Sequence, residues 1–248
     1  KQFRLDDGTT MAVSYKEPIH YKNAAGEWVD YDNSLKNETV NSASPDEVTE
    51  EYTNKKSDFK VNYSKKSKEN SMVKIKDDNQ KISWGYKDTN KVKSTIVNND
   101  EELTGNDKFT TLKNLTSEIT YENIYDDVDV QYFTTSTGVK ENIILKNKNA
   151  RSDFYIQYKF NNLTAKSVDD KTVELLNSKG DAVYKIEAPF MFDNDGNKST
   201  ALTLSITEQK KNKLTLKVSA DKKFLSDCSY PVTIDPQFTT SQNWQKSQ

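Results

Sequence analysis

Few residues in this sequence are suited to nucleophilic or acid–base catalysis. The chain has one histidine, His20, and one cysteine, Cys228. A thiol becomes a useful nucleophile only when a base lies within hydrogen-bonding reach, and these two residues lie near opposite ends of the chain. We interpret His20 as a histidine on the solvent side of a strand and Cys228 as an incidental thiol near a turn. On this basis we predict that the protein is not an enzyme.

The 38 acidic residues offer carboxylate pairs everywhere by chance, and none is set in the apolar surroundings that a glycosidase acid requires. The sequence DNDGN at residues 193–197 has the oxygen ligands that calcium prefers, but it lacks the spaced ligands and terminal glutamate of a complete calcium loop. Asp-Gly is also ordinary turn chemistry. We expect a turn here, with calcium held by Asp193 and Asp195 as the alternative, and otherwise no cofactor.

Four aromatic residues, Trp28, Trp84, Tyr86 and Trp244, are candidates for a flat binding platform. Trp28 follows a glycine turn and should lie exposed near a loop tip, with Tyr31 close by, so we predict a binding surface at this pair. Trp84 shares its strand phase with Ile82 and Tyr86, and three large side chains on one face are typical of a core.

The clearest structural signal is the stretch YENIYDDVDVQYFTTSTGVKENIILK at residues 121–146. Apolar residues alternate with polar ones on both sides of the Ser-Thr-Gly sequence at 136–138, which predicts a β-hairpin. We expect Asp126 and Asp127 to begin a strand and Asp129 to face water.

Lys140 and Glu141 lie within this hairpin. Glu141 is in phase with Val139 and Ile143 and should therefore point into the core. A buried carboxylate is costly unless it is paired or protonated. We predict either a buried acid with a cationic partner from a neighbouring strand or, as the alternative, an amide cross-link that uses Lys140 and a buried carboxyl to move the proton.

The rest of the chain repeats the same two-residue period with almost no helical pattern. About fifteen short strands predict an all-β fold, a large antiparallel two-sheet β-sandwich of the super-sandwich kind. Residues 36–56 lose the period and predict a solvated excursion. We expect a single domain over residues 1–236, with a possible seam at 98–108, and a linker to a following module at 237–248.

Composition restricts the possible partners. The formal net charge is −2, which gives no overall attraction to nucleic acid, so we predict no nucleic-acid partner. No apolar run approaches the ~20 residues of a membrane span, and we expect no membrane insertion. The single cysteine fits both the cytosol and a Gram-positive exterior. A start at Lys1, without methionine or a signal peptide, suggests an excised fragment of a longer protein.

Four segments together resemble a known family. These are EPIHYKNAAGEWVDYDNSL, the central YENIYDDVDVQYFTTSTGVKENIIL, KIEAPFMFDNDGN and SYPVTIDP, and they occur in the family's order between residues 3 and 236. The chain is similar to the β domain of large secreted bacterial wall-associated and YD-repeat surface proteins, where the domain lies beside DNRLRE-type modules.

The resemblance implies an extracellular protein, secreted or attached to the cell wall, whose partners are neighbouring modules of the same polypeptide. No catalytic residues can be transferred from the family. The resulting expectation is a non-catalytic scaffold module. The alternative is an adhesin that binds a host protein, such as a mucosal glycoprotein or an immunoglobulin, or a glycan.

Overall fold

The fold is all-β, which confirms the predicted class. A computed structural model describes residues 1–41, 48–77, 80–97, 112, 114–169, 171–187 and 189–240. They form two large antiparallel sheets and two small hairpins, with one short helix, α1 (Lys222–Asp227). The hairpins are β1 (Gln2–Arg4) with β2 (Thr10–Ala12), and β3 (His20–Lys22) with β4 (Trp28–Asp30).

The larger strands fall into an eight-stranded and an eleven-stranded sheet. The eight-stranded sheet contains, in spatial order, β20 (Leu202–Lys210), β21 (Lys213–Ala220), β14 (Asp153–Phe160), β9 (Gln80–Tyr86), β8 (Val73–Asp77), β7 (Lys60–Ser64), β6 (Val48–Lys56) and β5 (Asp32–Asn41). The main path of the eleven-stranded sheet is β10 (Ser94–Val97), β11 (Ser117–Tyr125), β12 (Val128–Thr134), β13 (Gly138–Leu145), β23 (Gln237–Thr240), β17 (Ala182–Ile186), β16 (Val173–Leu176) and β15 (Thr164–Ser167). Beside this path lie β18 (Phe190–Phe192), β19 (Lys198–Ser199) and β22 (Val232–Asp235).

The two sheets pack face to face through aromatic side chains. Trp84 of the eight-stranded sheet stacks on Phe238 of the other, with ring centroids 4.9 Å apart, and meets Tyr132 edge-on at 6.3 Å. The hydroxyl groups of Tyr63 and Thr134 share a hydrogen bond of 2.8 Å across the interface. Large aromatic surfaces buried this way are a strong source of stability, and Trp84 is a core residue as predicted.

The predicted central hairpin is confirmed. Strands β12 and β13 pair antiparallel from Val128↔Leu145 to Thr134↔Val139. Asp126 and Asp127, however, form the turn between β11 and β12 rather than the start of a strand, with Asp127 at φ +58°. Asp129 was expected to face water, but its carboxylate has protein partners: Oδ1 accepts a hydrogen bond from the Asn123 N–H and lies 2.8 Å from Lys146 Nζ.

The prediction of a solvated excursion at residues 36–56 was wrong in its main part. Residues 32–41 and 48–56 are the paired strands β5 and β6 at the edge of the eight-stranded sheet. They carry few apolar residues because they bury polar side chains on both faces, Glu51 and Thr53 on one and Asn54 on the other. A polar strand of this kind has no apolar alternation that would identify it.

The chain after residue 236 also differs from the prediction. Residues 237–240 are not linker but strand β23, which pairs with β13 on one side and β17 on the other. The remaining predicted linker residues, 241–248, and the predicted seam at 98–108 lie outside the described residues. The single domain over residues 1–236 stays a prediction.

Gly85 on β9 marks a close approach of two backbones. A Cβ added here would overlap the carbonyl oxygen of Lys68 and lie 2.9 Å from Asn70 N. Gly85→Ala should therefore lower the free energy of unfolding by about 1–3 kcal/mol, because backbone atoms cannot move aside as a flexible side chain can. Urea denaturation measures this loss. The matched control is Gln157→Ala, directly opposite on β14, which should stay within about 0.5 kcal/mol; equal losses would contradict the steric account.

Candidate functional site

The small β3–β4 hairpin gathers polar and aromatic side chains on one exposed face. Its register pairs His20 with Asp30 and Lys22 with Trp28. Since side chains alternate between the two faces of a strand, these four lie on the same side. The intervening Tyr21 and Val29 face the body of the protein.

The hairpin is held in place at both ends. At its turn, Asn23 Oδ1 accepts hydrogen bonds from the backbone N–H groups two and four residues further on, each 3.0 Å long. Gly26 adopts φ +80°, which favours glycine at this position. At the other end Tyr21 packs on Tyr31 with ring centroids 4.9 Å apart. The face is therefore presented on a fixed element rather than on a free loop.

His20 and Asp30 form the pair best suited to proton transfer on this face. His20 Nε2 lies 2.8 Å from Asp30 Oδ1, and Lys1 Nζ lies 3.8 Å from Asp30 Oδ2. Both side chains are partly exposed, so the pair adds little to stability. Its chemical effect is orientation: when Nε2–H donates to Asp30, the neutral imidazole keeps Nδ1 as the nitrogen that can accept a proton.

Trp28 is 67% exposed, as predicted from its place after the turn. The Lys22 ammonium lies 5.2 Å from the centre of its ring, within cation–π range. Trp28 helps to line an open cleft of about 1120 Å³, together with His20, Asp30 and Lys56. A flat aromatic ring with cations around it can stack on a planar group and hold an anion at the same time.

Tyr31, predicted to bind beside Trp28, is buried instead. It is only 6% exposed and its ring lies against Tyr21. Burial raises the pKa of its hydroxyl, and the nearby Asp58 carboxylate raises it further. Tyr31 thus supports the hairpin from beneath and cannot offer a ring face to a ligand.

Asp193 and Asp195 lie in a tight turn. A turn was the expected structure for this loop, with a calcium site as the alternative. Both Asp193 oxygens already accept N–H groups, including the Asn197 backbone at 2.8 Å and the Ser229 backbone at 3.2 Å. The Asn197 side chain holds the pKa of Asp193 below its ordinary value. The described part of the chain contains no cluster of three or more metal-ligating side chains, and calcium at this loop stays a prediction.

Lys140 and Glu141 point to opposite faces of β13. Glu141 is 4% exposed, so its phase was predicted correctly. Lys140 Nζ does not reach it and lies 3.6 Å from Asp235 Oδ2 on the neighbouring strand β22. The carboxylate that faces Lys140 is therefore that of Asp235, and an amide cross-link that uses Lys140 stays a prediction.

Sequence reasoning identified His20 but missed its partners. It treated His20 and Cys228 as a possible pair, yet Cys228 packs beside Leu225 after α1 and does not line the hairpin cleft. The usable signal was the hairpin itself: once its turn is placed at residues 23–26, Lys22 and Asp30 fall on the His20 face by strand alternation.

Comparison with known proteins finds relatives named as tRNA nucleases and as a wall-associated protein. The chain is 26% identical over 251 aligned residues to the tRNA nuclease WapA of Bacillus subtilis strain 168 and to the tRNA(Glu)-specific nuclease WapA of Bacillus subtilis subsp. natto. It is 24% identical over 199 residues to a protein named wall-associated protein from Geobacillus stearothermophilus. No protein-family model matches the chain, and no solved structure matches it significantly.

The coverage of these matches is uneven. The alignment takes in 97% of this chain but only 10% of each of the two nucleases, and 79% of this chain with 71% of the Geobacillus protein. The similarity to wall-associated proteins thus runs along nearly the whole chain. Among the described residues, no helix has the length and apolar character needed to cross a membrane.

These relatives correct three predictions. Proteins named as tRNA nucleases contradict the expectation of a non-catalytic scaffold or adhesin module, the expectation that the protein is not an enzyme, and the exclusion of nucleic acid as a partner. The exclusion rested on the net charge of the entire chain, which does not describe how charge is distributed over individual surfaces.

Proposed function

We propose that this chain is a section of a larger nuclease that acts on tRNA, and that the exposed face of the β3–β4 hairpin binds and cleaves the RNA. The observation that carries the proposal is the similarity along 97% of the chain to proteins named as tRNA nucleases. The proposal includes secretion or attachment to the cell wall, and neighbouring modules of the DNRLRE and YD-repeat kind.

The hairpin face has the groups needed to contact RNA. Stacking of an unpaired base on an exposed aromatic ring is worth about 1–3 kcal/mol, and Trp28 presents such a ring. Lys22 beside the ring and Lys56 in the cleft are placed to bind phosphate oxygens. Single-stranded regions of tRNA, whose bases can be unstacked, are the segments that fit this arrangement.

His20 supplies the chemistry in this proposal. Its Nδ1 removes the proton of a ribose 2′-hydroxyl, and the 2′-oxygen attacks the adjacent phosphorus. The bond from phosphorus to the 5′-oxygen breaks, and the departing oxygen takes a proton from solvent. The products are a 2′,3′-cyclic phosphate and a 5′-hydroxyl end. Asp30 stabilises the imidazolium that forms, and the lysines stabilise the charge that develops on the phosphate oxygens.

The test uses the chain as it stands with unmodified tRNA as substrate, and cleavage is followed on denaturing gels. His20→Ala should lower the cleavage rate by at least about 100-fold, the typical contribution of a general base. Trp28→Ala should weaken tRNA binding, and Val168→Ala, which shortens another exposed apolar side chain, serves as its control. Full activity in His20→Ala, or no cleavage by the unaltered chain, would contradict the proposed role of this face.

A further inference from the structure

The outer face of the eight-stranded sheet carries lysines directly opposite one another on neighbouring strands. Lys76 on β8 lies directly opposite Lys60 on β7 at one edge of its strand and directly opposite Lys81 on β9 at the other. Like charges at directly opposed positions repel each other and destabilise a sheet. Three in a row therefore need an explanation other than folding stability.

A second row runs parallel to the first. Lys74 on β8 and Lys159 on β14 both lie opposite Ser83 of β9. Lys159 is then opposite Lys213 on β21, which is opposite Lys210 on β20. We call the seven lysines of the two rows the lysine face. Both rows run across the strands, which are about 4.8 Å apart.

Carboxylates neutralise only part of the lysine face. Lys60 pairs with Glu38 at 2.5 Å, Lys74 pairs with the buried Glu51, and Lys210 pairs with Glu208. Within the described residues, no carboxylate lies in ion-pair distance of the other four members of the face, which are Lys76, Lys81, Lys159 and Lys213.

The lysine face is also concave. A groove of about 740 Å³ runs over it and is lined by five of its lysines against two acidic side chains, Glu38 and Glu51. Each of these two glutamates already forms an ion pair with a lysine. The groove thus has a surplus of positive charge, although the chain as a whole has a net charge of −2. Charges beyond about 8–10 Å are screened at physiological salt, so the local surplus decides what binds here.

We propose that the lysine face binds the phosphodiester backbone of RNA. The identity of the polymer rests on the proposed function, and the surface itself rests on the register of the strands. A backbone laid across the strands meets lysines of both rows in succession, and each contact releases condensed counterions from the RNA. Lysine ammonium groups bind phosphate as point charges without reading bases, so the face holds RNA of any sequence while the β3–β4 hairpin acts on it.

The test is the salt dependence of tRNA binding by fluorescence anisotropy. In the triple variant Lys76→Gln, Lys81→Gln and Lys159→Gln, binding should weaken and the slope of log K against log salt should become shallower by about two to three, roughly one for each lost contact. The control is Lys148→Gln, Lys166→Gln and Lys179→Gln, which changes the net charge equally at exposed lysines elsewhere and should keep the wild-type slope. Equal losses in both triple variants would overturn the proposal.

Two further measurements separate this proposal from the function of the hairpin face. A dinucleotide has a single bridging phosphate, and when that phosphate lies at His20 none is left for the lysine face, so the lysine triple variant should cleave it at the wild-type rate while His20→Ala does not. If no variant cleaves RNA but the slope still falls in the lysine triple variant, the lysine face is retained and the hairpin mechanism fails. If poly-glutamate binds as tightly as tRNA and is equally sensitive to the three substitutions, the face binds acidic protein and the assignment to RNA is overturned.

Loss of folding cannot account for the expected result. Removing repelling charges from opposed strand positions should leave the triple variant at least as stable as the wild type, which thermal unfolding measures. A marked loss of stability would show that these lysines serve the fold, and would also overturn the proposal.

Discussion

Glu141→Gln should remove a pH dependence from the free energy of unfolding. In the native protein this free energy should fall by about 3 kcal/mol as the pH rises from about 4.5 to about 7. Burial raises the pKa of the Glu141 carboxyl from an ordinary value of 4.5 to about 7. Each unit of pKa difference corresponds to about 1.4 kcal/mol. Between the two values the unfolded chain has released a proton that the folded protein retains, so the free energy of unfolding falls as the pH rises.

The groups around Glu141 explain why its pKa does not rise further. Tyr132, Tyr86 and Trp84 present O–H and N–H groups that lower the pKa of the carboxyl in part. None of these three donors has a well-aligned hydrogen bond, and neither has Glu141 Oε1. The buried acid that was expected to have a cationic partner is instead surrounded by neutral donors.

Urea denaturation at several pH values between 4 and 8 measures this effect. The wild type should lose stability over that range relative to Glu141→Gln, and the two curves should converge near pH 4.5. Glu122→Gln, an exposed position on β11, is the matched control and should follow the wild type. Parallel curves for wild type and Glu141→Gln would show that the carboxyl titrates normally in the folded state.

Trp84→Ala should lower the free energy of unfolding by about 3–5 kcal/mol, the range for loss of a large aromatic side chain from a core. Trp84 is 1% exposed and contacts rings from both sheets, with stacking on Phe238 at 4.9 Å and on Tyr158 at 5.9 Å. Its removal leaves a cavity between the sheets that rigid neighbours cannot fill.

Trp28→Ala is the matched control, since it makes the same change at an exposed tryptophan. It should alter stability by no more than about 0.5 kcal/mol. Chemical denaturation followed by circular dichroism measures both variants without depending on tryptophan fluorescence. Similar losses for the two would mean that Trp84 is less tightly packed than its contacts indicate.

Strand alternation was the part of the fold most readily predicted. The two-residue period placed Trp84 and Glu141 on the inner faces correctly, and it located the central hairpin. The same rule also places Trp28 and Tyr31 on opposite faces, because they are three positions apart along the chain. Their grouping as one binding surface overlooked that rule, and the burial of Tyr31 follows directly from it.

Other features depend on pairings between distant segments and leave no local pattern. Strands β5 and β6 are polar and gain their place from edge pairing rather than from apolar alternation. The lysine face arises only when the strands that carry Lys81, Lys159 and Lys213 become neighbours. Net charge averages over all surfaces, so it could not reveal this concentration.

The position of β13 in its sheet has a consequence for how the chain folds. One edge of β13 pairs with β12 immediately before it, while Val139 on the other edge pairs with Phe238 of β23. That edge stays open until almost the whole described chain is available, and contacts between such distant segments form slowly. During synthesis from the N-terminus onward, the sandwich therefore cannot close until β22 and β23 have been made. In the interval an unpaired strand edge is exposed, which favours association with other chains.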